Sequence, residues 1–467
     1  MTGSDVCGVV IDRGVSDWQI FQQNSNGTAD ISVSGRWGGA PQGKVEVRIV
    51  REDTSDVPAL HLNWQKVSTR ADGSWSAVIR DVPAGGLYRL ETHLKTDDKV
   101  PVEWQMRGDI RHFIGVGDLW IIAGQSNSAG YGRGPCYDPP ELGIHLFNNA
   151  MKWTLAYQPL NDSTDTVHPE NREGGNSGQG PWMHFARIVK NTVNVPIGLL
   201  QVSRGGSPLC FWNPNDSGEH PLFDLLVRVH KEVGGNVRGI LWYQGESEAN
   251  AESAPTYEKR FISAVKTWRE TLKQPDIAVL TVQIGHWFDC PAADQANNRA
   301  WSVLREAQRS VPGHLPRVSV VPTIDLTLSD GIHISPFGNL LLAQRVAQSA
   351  LAVVYGHKVN HLAPQPISII ATQGNTVLEM EFENTTGRID SVEKSAMPFV
   401  VEDDNGNVDV TKIEYQGTAS IVLQLARPLS GKAVMHGGYG ANPPTMPMDM
   451  DRMMPVLAFY NFPVTII

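Results

Sequence analysis

The sequence predicts an α/β fold: a parallel sheet covered by helices on both faces, flanked along the chain by β-rich, sandwich-like modules. Three observations predict it. At 467 residues the chain exceeds one ordinary hydrophobic core, so two or three domains are expected. Between about His112 and Gly356, near-continuous apolar runs alternate with segments of helical periodicity, the rhythm of buried parallel strands and crossover helices. On either side the pattern changes to period-two alternation broken by Gly, Pro and Asp. The expected divisions are 1–111, 112–357 and 358–467.

In the first segment Ala29–Val33, Lys44–Val50, Ser74–Ile79 and Tyr88–Leu94 alternate as half-buried strands do. In the second, Leu119–Ala123 is a short run of bulky side chains that stops at Gly124-Gln125-Ser126-Asn127. Ile197–Val202 runs into Ser203-Arg204-Gly205-Gly206, and Val237–Tyr243 into Gln244-Gly245-Glu246-Ser247. Tyr257, Phe261, Val265, Trp268 and Leu272 recur at helical spacing. Ile277–Ile284 and Val318–Ile324 read as strands and Asn298–Val311 as a helix. The last helix opens at Ser335-Pro336, a cap followed by proline at the first helical position. In the third segment Val377–Phe382, Pro398–Val401 and Ile421–Leu425 are again β-like, and Pro443–Pro455 reads as irregular chain lying over another domain.

A net charge of −10 without a basic cluster argues against nucleic acid or an anionic membrane as partner. No apolar run is long enough to span a bilayer. The start, MTGSDVCGVVIDRG, has neither a charged n-region nor an adequate apolar h-region. The expected location is the cytoplasm, or outside the cell with a signal already removed. Cys7, Cys136, Cys210 and Cys290 lack zinc-type spacing and read as reduced structural thiols. A site built from Cys136, Cys210, Cys290 and His286 is the weaker reading, and no metal or cofactor is expected.

The strand ends carry the chemistry. A hydroxyl at Ser126 stands at the carboxyl edge of the sheet, where open α/β sheets place their ligands. Backbone N–H groups there, with a following helix dipole, favour a developing negative charge. The plain alternative is a helix cap. Asp330-Gly331-Ile332-His333 lies in another loop at the same edge. Asp330 can reach back to His333 Nδ1 and leave Nε2 free to take a proton from Ser126. Gly205-Gly206 offers an unobstructed backbone N–H and Gln244 a side-chain amide. With the Ser126 N–H these make three donors for an oxyanion. Trp212, His286 and Trp287 also follow strand ends. They could wall a sugar ring or pack between domains.

GQSN at Gly124–Asn127, SRGGSPLCFW at Ser203–Trp212, WYQGES at Trp242–Ser247 and DGIH at Asp330–His333 resemble the four blocks of SGNH-type esterases. The resemblance is closest to the sialate O-acetylesterase and acetylxylan esterase branch, in which QGE replaces the more usual GxND. It implies Ser126 as nucleophile, His333 as general base, Asp330 as orienting acid, and Gly205 and Gln244 beside Ser126 in the oxyanion hole. Glu246 is the alternative acid. Ser128 departs from the methionine common after GQSN, which puts the pocket floor in doubt.

The expected function is therefore a carbohydrate O-acetylesterase acting on sialic acid or another acetylated glycan, without a cofactor. The rival readings are a catalytically silent carbohydrate-binding protein and a short-chain esterase acting on a non-sugar ester.

Overall fold

A computed structural model describes residues 6–39, 43–96, 99, 106–173 and 178–466. Its central element is β1 (Met106–Gly124), a strand of 19 residues whose two halves serve different layers. The first half pairs antiparallel with Gly85–Lys95, with Leu94 opposite Met106 and Gly85 opposite Val116. Gly85–Lys95 pairs in turn with Lys44–Arg51. From Asp118 onward, β1 is the middle strand of the α/β sheet. The expected division between 111 and 112 thus falls inside one continuous strand. Close packing at this crossing demands glycine, since a Cβ on Gly117 would lie 1.9 Å from the Pro196 carbonyl oxygen.

The remaining strands of the α/β sheet are β2 (Ile144–Phe147), β3 (Trp153–Leu155), β4 (Ile197–Gln201), β5 (Gly239–Tyr243), β6 (Ala278–Gln283) and β7 (Val318–Pro322). Their order is β3-β2-β4-β1-β5-β6-β7. All neighbours run parallel except the β2–β3 hairpin at one edge, an exception that the alternating rhythm does not announce. Every residue of β4, β5 and β6 is buried, because helices cover both faces.

The helices are α1 (Ser126–Ala129), α2 (Trp182–Val193), α3 (Pro221–Glu232), α4 (Tyr257–Thr271), α5 (Gln295–Ser310) and α6 (Pro336–Val353). Trp120, Trp182, Trp242 and Trp268 are fully buried among them. The face of α4 that the sequence spacing marks does turn inward, with Tyr257, Phe261, Val265 and Trp268 buried. Helix α5 starts earlier than its apolar pattern suggests, because the Asp294 side chain accepts from the Asn297 N–H and fixes the first turn. Ser335 caps α6 by accepting from the Gly338 N–H, and Pro336 follows it.

Before this unit, Gly8–Arg13, Thr28–Gly38, Ser74–Pro83 and Ser68–Thr69 form a four-stranded sheet. After it, eight strands between Gln365 and Ile466 form a second large sheet. Pro443–Pro455 is not wholly irregular, for Met448–Asp449 and Met454–Pro455 pair antiparallel. A buried arginine ties this last layer to the α/β unit. Arg305 donates to the carbonyls of Ile284 at 3.1 Å, Gly438 at 3.2 Å and Gly440 at 2.5 Å, satisfying its donors without a carboxylate. Burial pulls its pKa down to about 9. Among the described residues no helix is long and apolar enough to cross a membrane.

Candidate active site

The edge of the sheet is built from the turn that ends β1. Gly124 has φ +122°, and a Cβ there would lie 2.1 Å from the Tyr243 carbonyl oxygen, so only glycine lets the chain turn against β5. Ser126 follows at the start of α1 and is 8% exposed. Helix α1 is a single turn, so the dipole expected behind Ser126 sums over few peptide units. Gln125 Oε1 accepts from the N–H groups of Gly245 at 3.3 Å and Ser247 at 3.2 Å, which locks the serine turn to the QGES loop.

The loop between β7 and α6 brings the imidazole to this edge. Asp330 Oδ2 is 2.7 Å from His333 Nδ1, while Asp330 Oδ1 accepts from the N–H groups of Ile332 at 3.0 Å and His333 at 2.8 Å. Burial pushes the Asp330 carboxyl upward, but these hydrogen bonds and the imidazole outweigh it and hold the pKa below the usual value. The loop is pinned to the serine turn by Asn127. Its Oδ1 accepts from the Ile334 N–H at 2.9 Å, and its Nδ2 donates to the Ile332 carbonyl at 3.3 Å. His333 is the residue between those two anchors. Among the described residues neither Ser126 Oγ nor His333 Nε2 has a hydrogen-bond partner.

The oxyanion donors expected at Gly205 and Gln244 are not available. The Gly205 N–H donates to Glu173 Oε1 at 2.8 Å. Gln244 is fully buried, and its Nε2 donates to Glu248 Oε2 and to the Ser207 carbonyl at 3.4 Å. Its Oε1 accepts from the Tyr257 hydroxyl at 3.2 Å. A buried amide must satisfy its own hydrogen bonds, and here Glu248 and Tyr257 do so.

Glu246, the alternative acid, faces Asn127 instead of the imidazole. Its Oε1 accepts from Asn127 Nδ2 at 2.7 Å, and its buried Oε2 has no partner among the described residues. Burial raises the Glu246 pKa, against the opposing pull of the Asn127 hydrogen bond and the His333 charge.

Of the three candidate wall residues, Trp212 lies in the core, and His286 and Trp287 are half-buried at a seam. Trp212 is fully buried, donates to Ser207 Oγ at 3.1 Å and meets Trp242 edge-on at 5.2 Å. His286 uses both ring nitrogens, Nδ1 at 3.1 Å from Asn442 Oδ1 and Nε2 against the Ile324 carbonyl. Trp287 packs beside Trp301, and its N–H donates to the Ala441 carbonyl at 2.9 Å. Both His286 and Trp287 therefore join the α/β unit to the last β layer.

Other residues border the site instead. The Phe288 side chain is exposed, and its N–H donates to the Gly331 carbonyl at 2.7 Å. The Tyr131 ring lies 5.0 Å from the His333 ring, and its hydroxyl donates to Glu173 Oε2. Tyr131 follows GQSN closely enough to have been suspected. Glu173 carries no motif, and Phe288 stands one residue beyond the wall that the sequence suggests. All four cysteines are free, and no group of three His, Cys, Asp or Glu side chains gathers among the described residues.

A serine turn, an aspartate-bound histidine and a parallel sheet presenting both at one edge define an ester hydrolase of the α/β class. A family model described as carbohydrate esterase, sialic acid-specific acetylesterase, matches residues 116–352, just over half of the chain, and the chain belongs to that family. A protein of Arabidopsis thaliana named as a probable carbohydrate esterase is 29% identical over 271 residues, covering 52% of this chain and 94% of the relative. Human sialate O-acetylesterase is 22% identical over 363 residues, covering 64% of this chain and 65% of its own length. The crystal structure of a carbohydrate acetylesterase from Xanthomonas citri shares the fold, with a TM-score of 0.65 at 19% identity over 97% of this chain and 99% of that one.

Proposed function

We propose that this chain removes O-acetyl groups from carbohydrates through an acetyl-enzyme, with Ser126 as nucleophile, His333 as general base and Asp330 as the acid that orients the imidazole. The observation that carries this reading is the 2.7 Å contact between Asp330 Oδ2 and His333 Nδ1. It commits the Nδ1 proton to the carboxylate and leaves the lone pair on Nε2. Ser126 Oγ attacks the acetyl carbonyl carbon while Nε2 takes its proton. The tetrahedral intermediate collapses as Nε2 returns that proton to the departing sugar oxygen. Water, deprotonated by Nε2, then attacks the acetyl carbonyl, and acetate leaves as Ser126 Oγ is reprotonated. The Ser126 N–H at the first turn of α1 is the backbone donor this scheme uses for the oxyanion. In the same reading the β-rich segments on either side are modules that support the catalytic unit, the first of them sharing β1 with it.

The test is acetate release from a panel of acetylated sugars, with 4-nitrophenyl acetate as reporter. Ser126→Ala should cost at least about 10³-fold in kcat with an unchanged circular dichroism spectrum. A variant that keeps most of the rate sinks the assignment.

A further inference from the structure

Among the described residues, the carboxylate that occupies the Gly205 N–H forms no ion pair. Glu173 Oε1 accepts from Gly205 N–H at 2.8 Å and Asn161 Nδ2 at 3.0 Å, and Oε2 accepts from the Tyr131 hydroxyl. All three donors are neutral, and among the described residues no lysine, arginine or histidine forms an ion pair with Glu173. The carboxylate is also held firmly. Asn161 Oδ1 accepts from the buried Asn149 at 2.9 Å, and Asn149 Oδ1 accepts from the buried Asn171 at 2.7 Å. Thr166 closes this network on Asn171 Oδ1 at 2.8 Å.

The space around Glu173 is committed to these contacts. A Cβ on Gly205 would lie 2.8 Å from the Tyr131 hydroxyl and 3.2 Å from Glu173 Oε2, so glycine is what lets the carboxylate reach the backbone. One tyrosine ring separates that charge from the His333 imidazole. A fixed, unpaired anion at the rim of a site works against any substrate group of the same sign.

We infer that Glu173 is a specificity-determining residue that excludes anionic sugars, so that the substrates are acetyl esters of neutral sugars instead of sialic or uronic acids. This rests on the acetylesterase reading above. Arg133 is the cation that faces the same tyrosine. It is exposed and its charge acts on the Tyr131 hydroxyl, so it screens the rim without pairing with Glu173.

The experiment compares kcat/KM of the full chain on acetylated xylose and on 9-O-acetyl-N-acetylneuraminic acid, with 4-nitrophenyl acetate as a neutral reporter. Wild type should favour the neutral sugar at least about tenfold at low salt. Glu173→Gln keeps the shape and removes the charge, and should narrow that ratio at least about threefold. Added salt should narrow the wild-type ratio and leave that of the variant unchanged. A ratio that Glu173→Gln does not move, or a wild-type preference for the sialate, overturns the inference. No hydrolysis of any acetyl ester, reporter included, would instead overturn the acetylesterase reading itself.

Discussion

Asn127 Oδ1 accepts a hydrogen bond from the Ile334 N–H at 2.9 Å, so the residue after Ser126 holds the residue after His333. The same side chain donates to the Ile332 carbonyl and to Glu246 Oε1. One amide therefore aligns three loops that are remote along the chain. Asn127→Ala should lower kcat about 10–100-fold, because a displacement of about 1 Å in a reacting group costs roughly that much. KM should change little. A variant with wild-type kcat would show that the loops align without this clamp.

Asp330 and Glu246 separate cleanly by mutation. Asp330→Asn removes the carboxylate from His333 Nδ1 and should cost about 10²–10⁴-fold in kcat, by analogy with other Ser-His-Asp sites. Glu246→Gln keeps an acceptor for Asn127 Nδ2 and should cost less than about tenfold. Steady-state kinetics of the two variants decide which acid orients the base, and a reversed order assigns that role to Glu246.

Glu246 should also leave a mark on stability. Its burial raises the folded-state pKa above that of the unfolded chain. The native state therefore holds the proton more tightly, and stability is greatest at low pH and declines as pH climbs through the raised value. Glu246→Gln removes this loss. Its melting temperature relative to wild type should be higher at pH 8 than at pH 5. An equal offset at both pH values would contradict the assigned direction.

Gln244 and Trp212 should behave as core residues. Gln244→Ala strands Glu248 Oε2, while Tyr257 keeps the backbone carbonyl of residue 244, and it should cost about 1–3 kcal/mol of stability. Trp212→Ala removes a fully buried ring and should cost about 3–5 kcal/mol. Denaturant melts report both losses. KM for acetylated substrates should stay near wild type in the folded fraction, and a selective rise in KM for Trp212→Ala would return it to the sugar wall.

Strand ends and their small residues were legible because local chemistry imposes them. Gly124 needs a positive φ against Tyr243, Ser335 needs an N–H to cap, and the inward face of α4 needs apolar side chains at helical spacing. Asp330 and His333 stand three residues apart, so their contact is a local turn that a sequence can announce. Oxyanion donors are different. Whether the Gly205 N–H is open depends on Glu173, 32 residues away, and Gln244 depends on how Glu248 and Tyr257 fill the core. The aromatic residues misled for the same reason. Trp212 and Phe288 both follow strand ends, and only packing decides that the first is buried and the second exposed.

The sequence by itself determined the α/β rhythm and the family blocks, and it put forward Ser126, Asp330 and His333 as candidates, because each is written in short-range pattern and spacing. Tertiary structure alone decided that Asn127 is the clamp, that Glu173 occupies the glycine amide, and that β1 runs unbroken between two layers. Those outcomes follow from hydrogen bonds and close packing between distant segments, and no local stretch of chain contains both partners.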